Sequence, residues 1–192
     1  MQEIYFKIGF FSLLIIYFVI MSYYAKRYGR NEKESIRKQT RKNLPLIFVG
    51  ISLLLVPLLY LMELIEFAIF QLLDWQRIIG GACALIGIVY FHWTHSTLGK
   101  NWSAILEVKK DHELIMSGPY KYIRHPMYAS IYLTYVGFLI LTSNWLVGVL
   151  LLAPFTILYV SRVRSEEQMM LEKFGEKYRE YMKKSGRLFP KF

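Results

Sequence analysis

The sequence is poor in cysteine, in acidic residues and in the short motifs of soluble enzymes. Cys83 is the only cysteine among 192 residues, which excludes a disulfide framework. There is no glycine-rich phosphate-binding fingerprint, no Walker motif, no Asp-x-x-Asp metal pair and no Ser-His nucleophile pattern. Phosphate-loop, paired-carboxylate metal and serine-hydrolase chemistries therefore have no foothold. Internal repeats, low-complexity tracts and a second soluble domain are also missing. Asp and Glu number 14 against 24 Lys and Arg, a net charge of +10. Such a balance can mark a nucleic-acid binder, but its distribution along the chain has another explanation.

Apolar residues are in excess, at 55% of the chain, with a mean hydropathy of +0.30. Four stretches, Ile8–Ala25, Asn43–Met62, Ile78–Gly99 and Pro126–Ser161, contain no Lys, Arg, Asp or Glu. About 20 residues cross a hydrocarbon core of about 30 Å, so the first three stretches fit one crossing each. The fourth has 36 residues and would be about 54 Å long as one helix. In its middle, Thr142-Ser143-Asn144-Trp145 supplies small polar turn residues and an aromatic of interfacial type. The expectation is an all-α integral membrane protein with about five transmembrane helices.

Charge sets the orientation. Lys26–Lys42 holds eight Lys and Arg, Thr94–Arg124 five and Ser161–Phe192 nine, leaving only Lys7 and Arg77. With five spans the three basic segments share one face, which the positive-inside rule makes cytoplasmic, with the N-terminus outside and the C-terminus inside. Topology and attraction to anionic headgroups account for the charge, so nucleic acid is not an expected partner. The first apolar run is followed by Lys26-Arg27-Tyr28 rather than by a small-residue cleavage site, as expected of a retained span.

The chain divides at about residue 95 within one domain overall. Residues 1–95 supply three spans and a basic loop, in which Asn31–Lys42 is expected as a charged surface helix. Pro57 predicts a kink in the second span, and Glu63 and Glu66 fall near its outer end, where interfacial solvation is expected. His92 and His95 share a helix face near the inner end of the third span. Two His ligands could begin a metal site, but no third ligand follows at suitable spacing, so packing or cavity lining is expected and no metal.

Residues 96–192 carry the candidate chemistry. Leu98–Arg124 mixes charges with Trp102, Ile105, Leu106, Val108, Leu114 and Ile115, a composition expected of ordered, ligand-facing structure. Gly118-Pro119-Tyr120 punctuates a turn, and Pro126 suits the first turn of a helix, aiming His125 and Tyr128 toward the protein. The same residues also suit a plain aromatic elbow at the membrane surface. At the end of the fifth span, Arg162 and Glu166 are spaced i, i+4. They are either a surface pair of little energetic worth, or a cation and a carboxylate placed to anchor an anionic substrate beside a cationic cofactor. The tail reads as one amphipathic helix, Glu166–Lys184, with Met170, Phe174, Tyr178 and Tyr181 as its apolar stripe, closing a lid over the elbow.

Gly118-Pro119-Tyr120, Arg124-His125-Pro126 with Tyr128, then Arg162, Glu166-Glu167, Phe174-Gly175 and Tyr178 together resemble the isoprenylcysteine carboxyl methyltransferase family, in particular its small prokaryotic, archaeal-type members. Leu98–Glu107 and Gly186-Arg187-Leu188-Phe189-Pro190 resemble that branch too, so the likeness covers roughly residues 90–192. It implies methyl transfer from S-adenosylmethionine to the carboxylate of a lipid-modified cysteine at the cytoplasmic membrane face. By position, it implies that His112, Glu113, Leu114, Ile115, Tyr120, His125, Pro126, Met127 and Tyr128 line the cofactor pocket. Arg162 falls on the residue that holds the substrate carboxylate, and Glu166 on the one beside the cofactor's amino group. Glu167 and Tyr178 are implied to be structural. A phospholipid N-methyltransferase shares much of this motif, a nicotinamide-dependent lipid reductase has similar last spans, and a non-catalytic membrane protein is the alternative of another class. Against a channel, the spans carry no polar stripe to line a pore.

Overall fold

The computed structural model describes residues 2–28, 44–102 and 113–191. Its helices are α1 (Gln2–Tyr28), α2 (Leu44–Leu61), α3 (Asp74–Leu98), α4 (Pro126–Thr142), α5 (Trp145–Phe174) and α6 (Glu176–Lys184). Among the described residues, α1, α2, α3 and α5 are long and apolar enough to cross a membrane, and α4 is a shorter apolar helix of 17 residues. At about 1.5 Å per residue α4 rises about 25 Å, still within the range of a short crossing. Outward-facing residues along the bundle are apolar (Val19, Leu54, Ile86, Val160), a surface suited to lipid rather than to water. The fold is thus the expected all-α membrane bundle. The segment Asn31–Lys42, expected as a surface helix, lies outside the described residues.

The long fourth apolar run breaks where its polar residues stand. Ser143 turns the chain with φ 50, and Asn144 caps α5 by accepting from the Leu146 and Val147 amides at 3.0 and 3.1 Å. The Asn144 side-chain amide also donates to the Ile65 carbonyl at 2.7 Å, and the Phe70 amide donates to the Ser143 carbonyl at 2.9 Å. The turn after α4 is thereby stitched to the loop after α2. Pro57 lies inside α2, which continues through it.

At this end, away from most of the basic charge, buried Arg77 of α3 ties three helices together. Its Nε donates to the Leu141 carbonyl of α4 at 3.0 Å, its two terminal nitrogens pair with the carboxylate of Glu3 in α1, and its plane lies 3.8 Å from the Phe6 ring centroid. Lys7 meets Glu63 at 2.5 Å. Interfacial solvation was expected at Glu63; its carboxylate is exposed but also ion-paired, in a turn where its φ is 61.

Small residues let α3 and α4 approach closely. A Cβ on Gly137 would fall 2.7 Å from the Ala84 Cα and 2.7 Å from the Gly80 carbonyl oxygen, and one on Gly87 would fall 2.7 Å from the Thr134 amide nitrogen. Close backbone contact of this kind replaces the hydrophobic driving force that lipid removes. α5, with 30 residues, is about 45 Å long, more than the hydrocarbon core needs. Its last turns therefore carry Arg162 to Phe174 to the basic end of the bundle.

One expectation is corrected here. The tail is not a single helix from Glu166: α5 runs on to Phe174, Gly175 adopts φ 54, and α6 starts at Glu176. That left-handed φ is favoured by glycine, and it turns α6 away from the α5 axis. Met170 and Phe174 stay on α5, while Tyr178 and Tyr181 of α6 are buried.

The glycine contacts predict a contrast in detergent-solubilised protein. Gly137→Ala should lower unfolding free energy by about 1–3 kcal/mol through overpacking. Gly50→Ala, where a Cβ meets nothing within 4 Å, should leave stability unchanged or raise it. Equal effects in thermal unfolding would contradict the close α3–α4 approach.

Candidate active site

The basic end is organised by one carboxylate. Glu167 of α5, with a side chain 5% exposed, accepts from the Arg124 Nε at 3.1 Å and from Arg187 at 2.6 Å, and its Oε1 lies 3.4 Å from the His125 Nε2. Arg124 also donates to the carbonyls of Met182 and Ser185, which end α6. Backbone pairing completes the clamp: the Arg124 amide donates to the Gly186 carbonyl, the His125 amide to the Arg187 carbonyl and the Gly186 amide to the Tyr122 carbonyl, at 2.8, 3.0 and 3.0 Å. The Tyr181 hydroxyl donates to the Tyr120 carbonyl at 2.5 Å. Burial pushes the Tyr181 phenol up to about 12 and raises that of Tyr120 further, so both stay protonated and the Tyr181 donor persists. The elbow before α4 and the tail after α5 are thus one unit.

This unit orients the first turn of α4. His125 precedes Pro126, whose ring suits the helix start, and its imidazole lies between two carboxylates. Its Nδ1 is 3.6 Å from Glu166 Oε2, while its other ring nitrogen faces Glu167. The Tyr128 hydroxyl donates to Glu166 Oε1 at 2.7 Å. Arg162, one turn before Glu166 on α5, is buried at 8% exposure.

These side chains border a cavity of about 300 Å³. Glu113, Leu114, Ile115, Tyr120, His125, Pro126, Met127, Tyr128, Arg162 and Glu166 all line it, so the described candidate residues converge on one space. His112 lies outside the described residues. The segment starting at Glu113 is held in place by Asn101, whose side-chain oxygen accepts the Glu113 amide at 3.0 Å. His95 also lines the cavity, with its ring packed 4.2 Å from Phe91 and 5.2 Å from Trp102 between centroids. The Nδ1 of His92 instead meets the Tyr24 hydroxyl at 3.1 Å. Among the described residues no three His, Cys, Asp or Glu side chains gather as a metal site would require.

Several contributors leave little or no signal in the sequence. Arg124 and Arg187 carry no assigned role within Arg124-His125-Pro126 and Gly186-Arg187-Leu188, although the adjacency of Arg124 to His125-Pro126 is a usable signal. Tyr17 and Met21 of α1 and Leu46, Val49 and Leu53 of α2 form the far wall of the cavity. Nothing in an apolar span distinguishes such residues from those that face lipid.

Chemically, the cavity joins a polar end, with the guanidinium groups of Arg124 and Arg162 and a carboxylate held by a phenol and an imidazole, to an apolar shaft between helices. It suits a polar or charged group attached to a hydrophobic chain.

Residues 80–172 match the model of the isoprenylcysteine carboxyl methyltransferase (ICMT) family. The nickel-cobalt-cadmium resistance protein NccN of Alcaligenes xylosoxydans xylosoxydans is 28% identical over 111 residues, covering 57% of this chain and 52% of that protein. The protein-S-isoprenylcysteine O-methyltransferase of Xenopus laevis is 31% identical over 118 residues, covering 58% of this chain and 40% of the relative. The chain spans about half, or less, of the length of these curated relatives. The solved structure of the eukaryotic intramembrane Ras methyltransferase ICMT superposes with a TM-score of 0.60 over 98% of this chain and 71% of that one, at 20% identity, which shows a common fold.

The clamp has a measurable asymmetry. Glu167→Ala strands a buried Arg124 and should cost about 3–5 kcal/mol. Arg187→Ala removes a half-exposed partner and should cost about 1 kcal/mol or less. Equal losses in unfolding experiments would contradict Glu167 as the hub.

Proposed function

We propose that this chain, whose residues 80–172 match the model of the isoprenylcysteine carboxyl methyltransferase family, methylates the carboxylate of a lipid-bearing thioether acid, with S-adenosylmethionine as donor. The observation that carries this reading is the convergence of ten candidate residues on one cavity whose other walls come mainly from helices α1 to α5. The volume lies at the lower end of the range of small-molecule pockets, and the polar groups fit the donor: a carboxylate that would take its amino group, with the phenols of Tyr120 and Tyr128 lining the same cavity. When bound, the donor supplies a methyl group, its carbon–sulfur bond breaking as a carbon–oxygen bond to the carboxylate forms, leaving a thioether and a methyl ester with no proton exchanged.

The residues have separable tasks. Glu113 to Ile115, Tyr120 and His125 to Tyr128 hold the donor, and Glu166 receives its amino group. Glu166 is fixed for this by the Tyr128 hydroxyl at 2.7 Å. Arg162 binds the acceptor carboxylate, a task for which its planar fork suits it better than lysine. Sulfonium and carboxylate neutralise each other on reaction, so acid–base catalysis contributes little. Alignment and exclusion of water contribute most. The α6–tail clamp and the apolar shaft support both, and the shaft lets the acceptor's chain remain within the bilayer.

The basic face is cytoplasmic and carries this site and the C-terminus, with the N-terminus outside, by the positive-inside rule. Tail residues labelled from outside intact cells would contradict that orientation.

With labelled donor, N-acetyl-S-farnesylcysteine should acquire base-labile label, as an ester does, and phosphatidylethanolamine should acquire none. Base-stable label on phosphatidylethanolamine would assign amine methylation instead. Arg162→Ala should lower kcat/KM for the acceptor by about a hundredfold while leaving the KM of the donor unchanged; a raised donor KM would place Arg162 in the donor subsite.

A further inference from the structure

The cavity has a definite bottom. Following each helix away from the basic end, the last residue to line it is Tyr17 on α1, Leu53 on α2, Phe91 on α3, Tyr135 on α4 and Phe155 on α5. Four of these five are aromatic, and their rings form a chain. Ring centroids are 5.0 Å apart for Tyr17 and Phe91, 6.5 Å for Tyr17 and Tyr135, and 5.5 Å for Tyr135 and Phe155. All four are buried, and Phe10 packs against Phe138 at 5.0 Å with both fully buried. The rings are therefore backed by packed core.

The shaft above them has a consistent depth. Tyr128 and Tyr135, Phe155 and Arg162, and Leu46 and Leu53 all line the cavity and are each seven residues apart. Seven helical residues rise about 10 Å. A chain whose carboxylate is held at Arg162 can therefore descend about 10 Å before it meets the rings. A longer chain must displace rings that are close-packed among four helices, or leave sideways into lipid, and close-packed cores resist such displacement.

We propose that the ring layer of Tyr17, Phe91, Tyr135 and Phe155, with Leu53, is the determinant of acceptor chain length. This rests on the lipid-acid methyltransferase reading above. The layer acts as a stop: a chain that just reaches it gains the full apolar contact of the shaft, and each carbon beyond it costs packing. Chain selectivity then comes from residues of α1 to α5 that touch neither the donor nor the reacting carboxylate.

The test compares kcat/KM for N-acetyl-S-dimethylallyl-, S-geranyl- and S-farnesylcysteine in the wild type, in Phe155→Ala, which deepens the shaft, and in Val49→Phe, which fills it halfway along α2. Binding of S-adenosylhomocysteine is measured in each variant as a check on the donor end. The ratio of long to short acceptor should rise at least about tenfold in Phe155→Ala and fall at least about tenfold in Val49→Phe, with S-adenosylhomocysteine binding retained. Unchanged ratios in variants that still bind S-adenosylhomocysteine would overturn the stop alone. Loss of that binding in both variants would assign the rings to holding the bundle together and would overturn it too. A wild type that binds S-adenosylhomocysteine but methylates none of the three acids would instead contradict the acceptor class on which the inference rests.

Discussion

Burying a carboxylate is tolerable only when cations and hydrogen-bond donors surround it, and Glu167 recruits its partners from two separate stretches of chain. Arg124 and His125 come from the elbow before α4 and Arg187 from the tail beyond α6. The neighbouring residue on α5, Glu166, faces the cavity and receives Tyr128. Adjacent glutamates thus divide the work, one locking the frame and the other presenting a carboxylate to the cavity. Because both stand on one helix, the lock sets the position of that carboxylate.

The opposite end of the bundle uses similar physics without a cavity of comparable size. Arg77, bound to Glu3 and to the Leu141 carbonyl, and Asn144, capping α5 while donating to Ile65, fix how the helices meet there. Between the two ends, glycine and alanine bring α3 and α4 together, and the aromatic layer of Tyr17, Phe91, Tyr135 and Phe155 closes the shaft. The molecule is tightly packed on one side of that layer and open on the other. The cavity's polar groups stand at the basic end and its apolar walls lie between the helices.

Much of this was legible in the sequence, for physical reasons that can be named. Charged residues cannot sit free in hydrocarbon, so charge-free runs marked the spans, and Thr142-Ser143-Asn144-Trp145 marked the turn because its side chains cap and reverse a chain. The positions of Tyr120, His125, Tyr128, Arg162 and Glu166 around one cavity followed from motif spacing and resemblance. The break at Gly175 was missed because the apolar stripe keeps helical period across it, and periodicity alone does not report a φ of 54. The pairing of Arg77 with Glu3 joins residues 74 positions apart, and the α1 and α2 wall is built from ordinary span residues. Neither long-range pairing nor the inward face of a uniformly apolar helix leaves a local signature.

The central claim is that the polar end of the cavity is a site for a sulfonium donor rather than for a nicotinamide cofactor or for no cofactor at all. Thermal unfolding of the purified protein with each ligand tests it most directly. S-adenosylhomocysteine should raise the unfolding temperature and NADPH should not; a rise with NADPH and none with S-adenosylhomocysteine would contradict the account.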